Sequence, residues 1–195
     1  MKELNKIDPT ILLDIRYARE DNFVGRPVYR SAQAFLQTAA ADDLVKAHRN
    51  LASKGFGLVI FDGYRPWSVT KLFWDVVPLE QRIYVADPAE GSKHNRGCAV
   101  DLTLYSLETG LMADMPSDFD EFNEKAHPEY DGATEIQKKN RQILRGAMEM
   151  CNYTVNPKEW WHFDHVTWPE HEILDISFEE LSRNSPENLV ASQEA

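Results

Sequence analysis

From Ala99 to Leu104 apolar and polar side chains alternate, a period of two that fits a β-strand and not a helix. Such a strand sends Val100, Leu102 and Leu104 to one face and Ala99, Asp101 and Thr103 to the other, so a carboxylate points away from the main core. His94 stands just upstream, beyond Gly97, where the small residues Gly97 and Ala99 let a loop fold back closely. Loop and strand can thus bring an imidazole and a carboxylate to one point.

Trp160 to Asp164 reads as a second strand carrying Glu159-Trp160-Trp161-His162. Strict alternation puts Trp160 and His162 on one face and Glu159, Trp161 and Phe163 on the other. For Glu159 to reach the same place as His162, the chain must turn or bulge at Glu159, and Pro157 two residues earlier favours such a break.

His94, Asp101 and His162 then make a two-imidazole, one-carboxylate set. Catalytic zinc takes three such protein ligands and keeps a fourth position for water. The ion lowers the pKa of that water from 15.7 toward about 7. Glu159 is placed in sequence to act as its base. The same donors also suit non-haem iron, so the residues leave the metal open. Plainer readings stay open too: hydrogen-bonded core histidines, Asp101 capping a turn, Glu159 in solvent, and Trp160 and Trp161 as core anchors.

Arg65 follows a further strand, Leu58 to Phe61, and Pro66 biases its backbone toward an extended shape. A planar, permanently charged guanidinium suits a developing oxyanion, although an arginine before a proline also serves as a surface ion-pair partner. Asp120 at the end of a small pocket would attract an ammonium group. It also lies in a run with Asp114, Asp118, Glu121 and Glu124, as a solvated acidic loop would, and Tyr17 reads equally well as core.

The pattern Ser92-x-His94-x-x-Gly97-x-Ala99-x-Asp101, followed by Glu159-x-x-His162, resembles the D-alanyl-D-alanine dipeptidases. These are zinc peptidases related to bacterial D,D-carboxypeptidases, with a metal-binding fold shared by hedgehog signalling domains. The resemblance extends to Asp21-Asn22-Phe23-Val24-Gly25 after Tyr17, to Asp62-Gly63-Tyr64-Arg65-Pro66 and to Phe119-Asp120-Glu121, and so covers about Leu12 to Phe163. It implies one zinc ion held by His94, Asp101 and His162, Glu159 as general base and Arg65 on the oxyanion. It further implies that Tyr17 and Asp120 grip the free amino end of a dipeptide and that Ser92 lies near the substrate. The segment Met112 to Asp118 and the surroundings of His127 depart from the family pattern, which bears on the shape of the substrate pocket. Hydrolysis of D-alanyl-D-alanine to D-alanine is the implied reaction. A peptidoglycan D,D-carboxypeptidase or endopeptidase, or a catalytically silent zinc-binding module, are the alternatives.

A chain of 195 residues, 43% hydrophobic and without internal repeats, fits one domain over residues 1–181 with a polar, flexible tail over 182–195. The net charge of −11 argues against nucleic acid or an anionic membrane as partner, and leaves a small zwitterion as the better fit. Met1 to Lys6 lacks the apolar run of an export signal, so a cytoplasmic location is expected, with Cys98 and Cys151 as free thiols. The oligomeric state is left open.

Strands are expected at Leu12 to Ala18 and at the three segments above. One or two helices are expected over Ala32 to Ser53, ended by Gly55, a further helix over Ser68 to Val76, and another from an N-cap at Thr134 to Cys151. The class is therefore α+β, with a small, mostly antiparallel sheet flanked by helices.

Overall fold

The computed structural model describes residues 1–183. Its centre is a five-stranded sheet in the order β2-β4-β5-β7-β6, formed by β2 (Leu12–Leu13), β4 (Phe56–Asp62), β5 (Ala99–Ser106), β6 (Tyr153–Asn156) and β7 (Glu159–His165). Only β2 and β4 run parallel; the other pairs are antiparallel. The α+β expectation holds.

Helices α2 (Thr38–Ala52) and α4 (Glu135–Glu149) pack together against the sheet. Their inward stripe, including Leu44, Leu51, Leu144 and Met148, joins Val100, Leu102 and Leu104 of β5 in a core closed to solvent. Thr134 caps α4: its side chain accepts from Gln137 N, and the Gln137 side chain reaches back to Thr134 N, a reciprocal capping box. The helix α3 (Trp67–Val76) begins just after Pro66. A short helix α1 (Leu4–Ile7) and a helix α5 (Phe178–Arg183) complete the α elements among the described residues.

Two expected elements are different. Ala32 to Ser53 is not helical throughout, because Phe35–Leu36 forms a strand, β3, antiparallel to β1 (Lys2–Glu3). Leu4 N donates to Ala34 O and Tyr64 N to Phe35 O, while Gln37 N donates to Gly97 O, so this backbone is bonded to other segments before Thr38. Helical hydrogen bonding cannot begin earlier. Leu12 to Ala18 is a strand only at Leu12–Leu13 and then tightens into a 3-10 turn at Arg16–Ala18. There Asp14 draws Arg16 and Arg19 into local ion pairs, and Tyr17 O accepts from Val28 N and Tyr29 N.

At the end of the described residues, α5 is anchored by buried Phe178 and includes Ser182 and Arg183, the first two residues of the expected tail. The remainder of the expected tail, 184–195, lies outside the described residues. Cys98 and Cys151 are both buried and unpaired. Among the described residues no helix is long and apolar enough to cross a membrane.

Asp43 on α2 ties the helix layer to the end of β7. Its Oδ2 accepts from Asn152 Nδ2 at 2.7 Å and lies 3.1 Å from His165 Nε2, while Oδ1 accepts from Lys46 at 2.6 Å. Burial alone would raise this carboxyl, but those three partners outweigh it and lower it to about 2. Because the unfolded chain takes up the proton near pH 3.9, the stabilisation is complete above about pH 4 and fades as pH falls through about 2. Asp43→Ala should lower stability at pH 7 by about 1–3 kcal/mol, and urea unfolding at pH 7 and pH 3 should show the penalty shrinking at the lower pH.

Candidate active site

A row of polar side chains crosses the sheet on the face away from α2 and α4. Asp62 on β4 is paired with Asp101 on β5, and Asp101 with His162 on β7. Directly opposed residues on neighbouring strands share a face. Asp62 joins this row through a one-residue slip in β4: Ile60 pairs with Leu102, but Asp62 rather than Phe61 pairs with Asp101.

His94 enters from above the row, on a 3-10 turn (His94–Arg96) closed by Gly97 at φ 67. A Cβ at Gly97 would come within 2.8 Å of Met1 Sδ, a flexible side chain that can move aside, so the turn needs glycine chiefly for its dihedral.

The two imidazoles present different nitrogens to Asp101. His94 Nδ1 is 2.7 Å from the carbonyl of Gly63, which can only accept, so Nδ1 carries the proton and Nε2 is bare. His162 Nε2 is 3.0 Å from Asp164 Oδ1, also acceptor-only, so in the neutral ring the proton sits at Nε2 and Nδ1 is the nitrogen left to meet a cation. His94 Nε2, His162 Nδ1 and Asp101 Oδ1 then face one another at 3.1, 3.4 and 3.0 Å. Ligands at the usual zinc distances of about 2.0–2.2 Å in a tetrahedron would stand about 3.3–3.6 Å apart, a little wider than these atoms stand here.

Asp101 Oδ1 is buried without a hydrogen-bond partner of acceptable geometry. Burial would raise the Asp101 carboxyl, yet His94 and His162 hold it well below the usual carboxylate range. Conversely, burial would lower His162, but Asp164 and Asp101 push its imidazole well above the ordinary value. The point between these three atoms therefore favours positive charge, and the three residues could hold a metal ion.

Glu159 reaches the same point because β6 and β7 slip: Val155 pairs with Phe163, and the next β6 residue, Asn156, pairs with Glu159. The break expected at Glu159 is thus present, spread over Trp160, Trp161 and His162. Glu159 Oε2 lies 3.8 Å from His162 Nδ1 and accepts from Asn156 Nδ2 at 3.0 Å. Burial pushes its carboxyl up to about 7.

Arg65 is fixed by charge and by aromatic faces. Its Nε and Nη2 each lie 2.9 Å from Asp62 Oδ2, and Asp62 Oδ1 accepts from Tyr29 OH and Gly63 N. The guanidinium sits over the rings of Tyr17 and Phe73, with centroids 5.4 and 4.8 Å away. One edge is 3.6 Å from Asp101 Oδ2, which turns it toward the histidines.

Tyr17 OH donates to Asp120 at 2.9 Å. Asp120 takes the left-handed conformation at φ 60, which a short polar side chain tolerates better than most. Burial and the charge of Asp101 raise its carboxyl well above the ordinary value. Ser92 accepts from His94 N through its hydroxyl.

All eight residues singled out in the sequence line one cavity of about 410 Å³. Tyr84 and Phe122, stacked at 5.3 Å with their planes 6° apart, form part of its wall. His127 is not among the lining residues; it sits behind Tyr84, 3.4 Å from the hydroxyl. Sequence reasoning passed over Asp62, Lys93, Asn156 and Asp164. Asp164 was the most accessible of these, since alternation along β7 puts it on the same face as His162.

Two imidazoles, a carboxylate and a neighbouring glutamate in a half-enclosed cavity fit the class of metallopeptidases. The chain belongs to the D-ala-D-ala dipeptidase family, Peptidase_M15, whose model matches residues 1–178. It is 35% identical to the D-alanyl-D-alanine dipeptidase of Escherichia coli (strain K12) over 90% of both chains. It is 34% identical to the enzyme of that name from Enterococcus faecium, over 82% of this chain and 88% of that one. The Enterococcus faecalis (strain ATCC 700802 / V583) dipeptidase is also 34% identical, over 80% of this chain and 86% of that one. A solved LD-carboxypeptidase, LdcB, aligns at a TM-score of 0.44 with 18% identity over 87% of this chain and 77% of that chain.

Asp62 is 1% exposed and is the principal counter-charge of buried Arg65. Removing one partner of a buried pair leaves the other uncompensated, so Asp62→Ala should cost about 3–5 kcal/mol in denaturant unfolding. Tyr29→Phe, which keeps the ion pair and removes one of its hydrogen bonds, should cost about 1 kcal/mol.

Proposed function

We propose that this protein is a zinc-dependent dipeptidase that hydrolyses D-alanyl-D-alanine to two molecules of D-alanine. The observation that carries the reading is the convergence of three acceptor atoms, His94 Nε2, Asp101 Oδ1 and His162 Nδ1, on one point beside Glu159. Three lone pairs at these separations repel unless a metal ion or a proton lies among them.

When bound, one zinc ion would supply Lewis-acid polarisation of the peptide carbonyl and lower the pKa of water toward about 7. Glu159 takes the proton from the attacking water and delivers it to the departing amine. A carboxyl raised to about 7 is suited to both tasks near neutral pH. Asn156 holds the carboxylate in place through Oε2. Arg65, immobilised by Asp62 and two aromatic rings, donates to the oxygen that gains charge as the carbon becomes tetrahedral.

The free ammonium of the dipeptide is met by Asp120, oriented by the Tyr17 hydroxyl. With that ammonium bound, the elevated Asp120 carboxyl ionises and the pairing is charge-assisted. Ser92 lines the same cavity and offers its hydroxyl near the dipeptide. The names of the relatives support the choice of D-alanyl-D-alanine.

Glu159→Ala should keep the ion and lower turnover by roughly 10²–10⁴-fold, whereas His94→Ala should lose the ion itself. Metal analysis after gel filtration, run beside a D-alanine release assay, separates these outcomes. Near-normal hydrolysis by Glu159→Ala would contradict the role of base. N-Acetylation of the dipeptide removes the charge that Asp120 meets, so kcat/KM should fall sharply. A preference for the acetylated compound would point instead to a carboxypeptidase acting on longer peptidoglycan stems.

A further inference from the structure

The His162 ring is gripped at Nε2, the nitrogen turned away from Asp101, by an ion pair that lines the same cavity and that the proposed chemistry does not use. Asp164 Oδ1 lies 3.0 Å from His162 Nε2, and its other oxygen, Oδ2, accepts from Lys93 Nζ at 2.6 Å. Lys93 adjoins His94 in sequence and has its ammonium 5.2 Å from the centroid of the Trp168 ring. A single carboxylate thus links the strand that carries one proposed ligand to the turn that carries the other.

His94 and His162 need opposite tautomers to present bare nitrogens to the same point. His94 has its proton fixed at Nδ1 by a main-chain carbonyl, which no side-chain substitution removes. His162 must carry its proton at Nε2, and among the described residues only Asp164 is bonded to that nitrogen. With Asp164 absent, the proton is free to sit on Nδ1, where it blocks a metal.

We infer that Asp164, oriented by Lys93, is a positioning residue that holds His162 in its Nε2–H tautomer and thereby sets the metal affinity of the site. The inference rests on the metal-binding reading above. Lys93 has a defined part in it: its ammonium claims one carboxylate oxygen, so the other faces the imidazole. Partners of metal-bound histidines of this kind typically change affinity by 10–100-fold when removed.

This geometry predicts an uncommon result for Asp164→Asn. Lys93 attracts the amide oxygen, which turns the amide NH2 toward His162 Nε2 and favours the tautomer that cannot bind metal. Lys93→Met in that background frees the amide to rotate and offer its oxygen to the ring. The zinc dissociation constant of the full chain, measured by competition with a chromophoric chelator, should therefore rise about 10–100-fold in Asp164→Asn and recover at least partly in Asp164→Asn/Lys93→Met. Nitrogen-15 shifts of the metal-free His162 ring, recorded at a pH high enough for the imidazole to be neutral, should move from the Nε2–H to the Nδ1–H pattern in the single variant and return in the double.

Zinc affinity within twofold of the parent in Asp164→Asn would overturn the inference, as would a loss that Lys93→Met does not relieve. Melting of the metal-free variants checks that each is folded. If Asp164→Asn does not fold, Lys93→Met alone decides the matter: loosened Asp164 should weaken zinc severalfold, and unchanged affinity would overturn the inference. Failure of the parent chain to bind zinc at all would instead remove the metal-binding reading, so the two failures are distinguishable.

Discussion

Asp101 is 3% exposed, yet it faces two imidazole nitrogens and one guanidinium edge from the middle strand of the sheet. A buried charge of this kind is tolerable only when paired on every side. The rest of the site follows from meeting that need. Asp62 and His162 flank it through strand register, His94 drops onto it from a glycine-closed turn, and Arg65 is locked between Asp62 and two aromatic faces. One face of the sheet buries hydrocarbon against helices. The other buries charge.

Two departures from regular pairing make that second face work. The slip at Phe61 substitutes Asp62 for an aromatic side chain opposite Asp101, and so gives Arg65 its counter-ion. The slip between β6 and β7 brings Glu159 and His162 to the same cavity although they are three residues apart. Each costs some ladder bonding and gains a polar side chain aimed where alternation would not send it. Irregular register at the edge of a cavity is here a device for placing polar side chains.

Much of this was legible in the amino-acid pattern. The alternation around Asp101, the capping signal at Thr134 and the helix expected after Pro66 are local signals, and all three survive into the structure. The requirement for a break near Glu159 followed from the same periodicity. Less legible were segments whose backbone is bonded to distant parts of the chain. Phe35 and Leu36 look helical beside an alanine-rich run, but they are held by Leu4, Tyr64 and β1. The slip at Phe61 has no local signal, so the importance of Asp62 and its bond with Arg65 emerged only in three dimensions. The gathering of all eight candidate residues around one cavity was legible chiefly through motif resemblance, not through spacing.

The account stands on one divalent cation seated between His94, Asp101 and His162. Anomalous diffraction from crystals of the zinc-loaded protein, recorded on both sides of the zinc absorption edge, tests this most directly. One peak is predicted, about 2.0–2.2 Å from His94 Nε2, Asp101 Oδ1 and His162 Nδ1, with Glu159 beside it and not bonded to it. A peak bound elsewhere, or coordination through the opposite ring nitrogens, would contradict it.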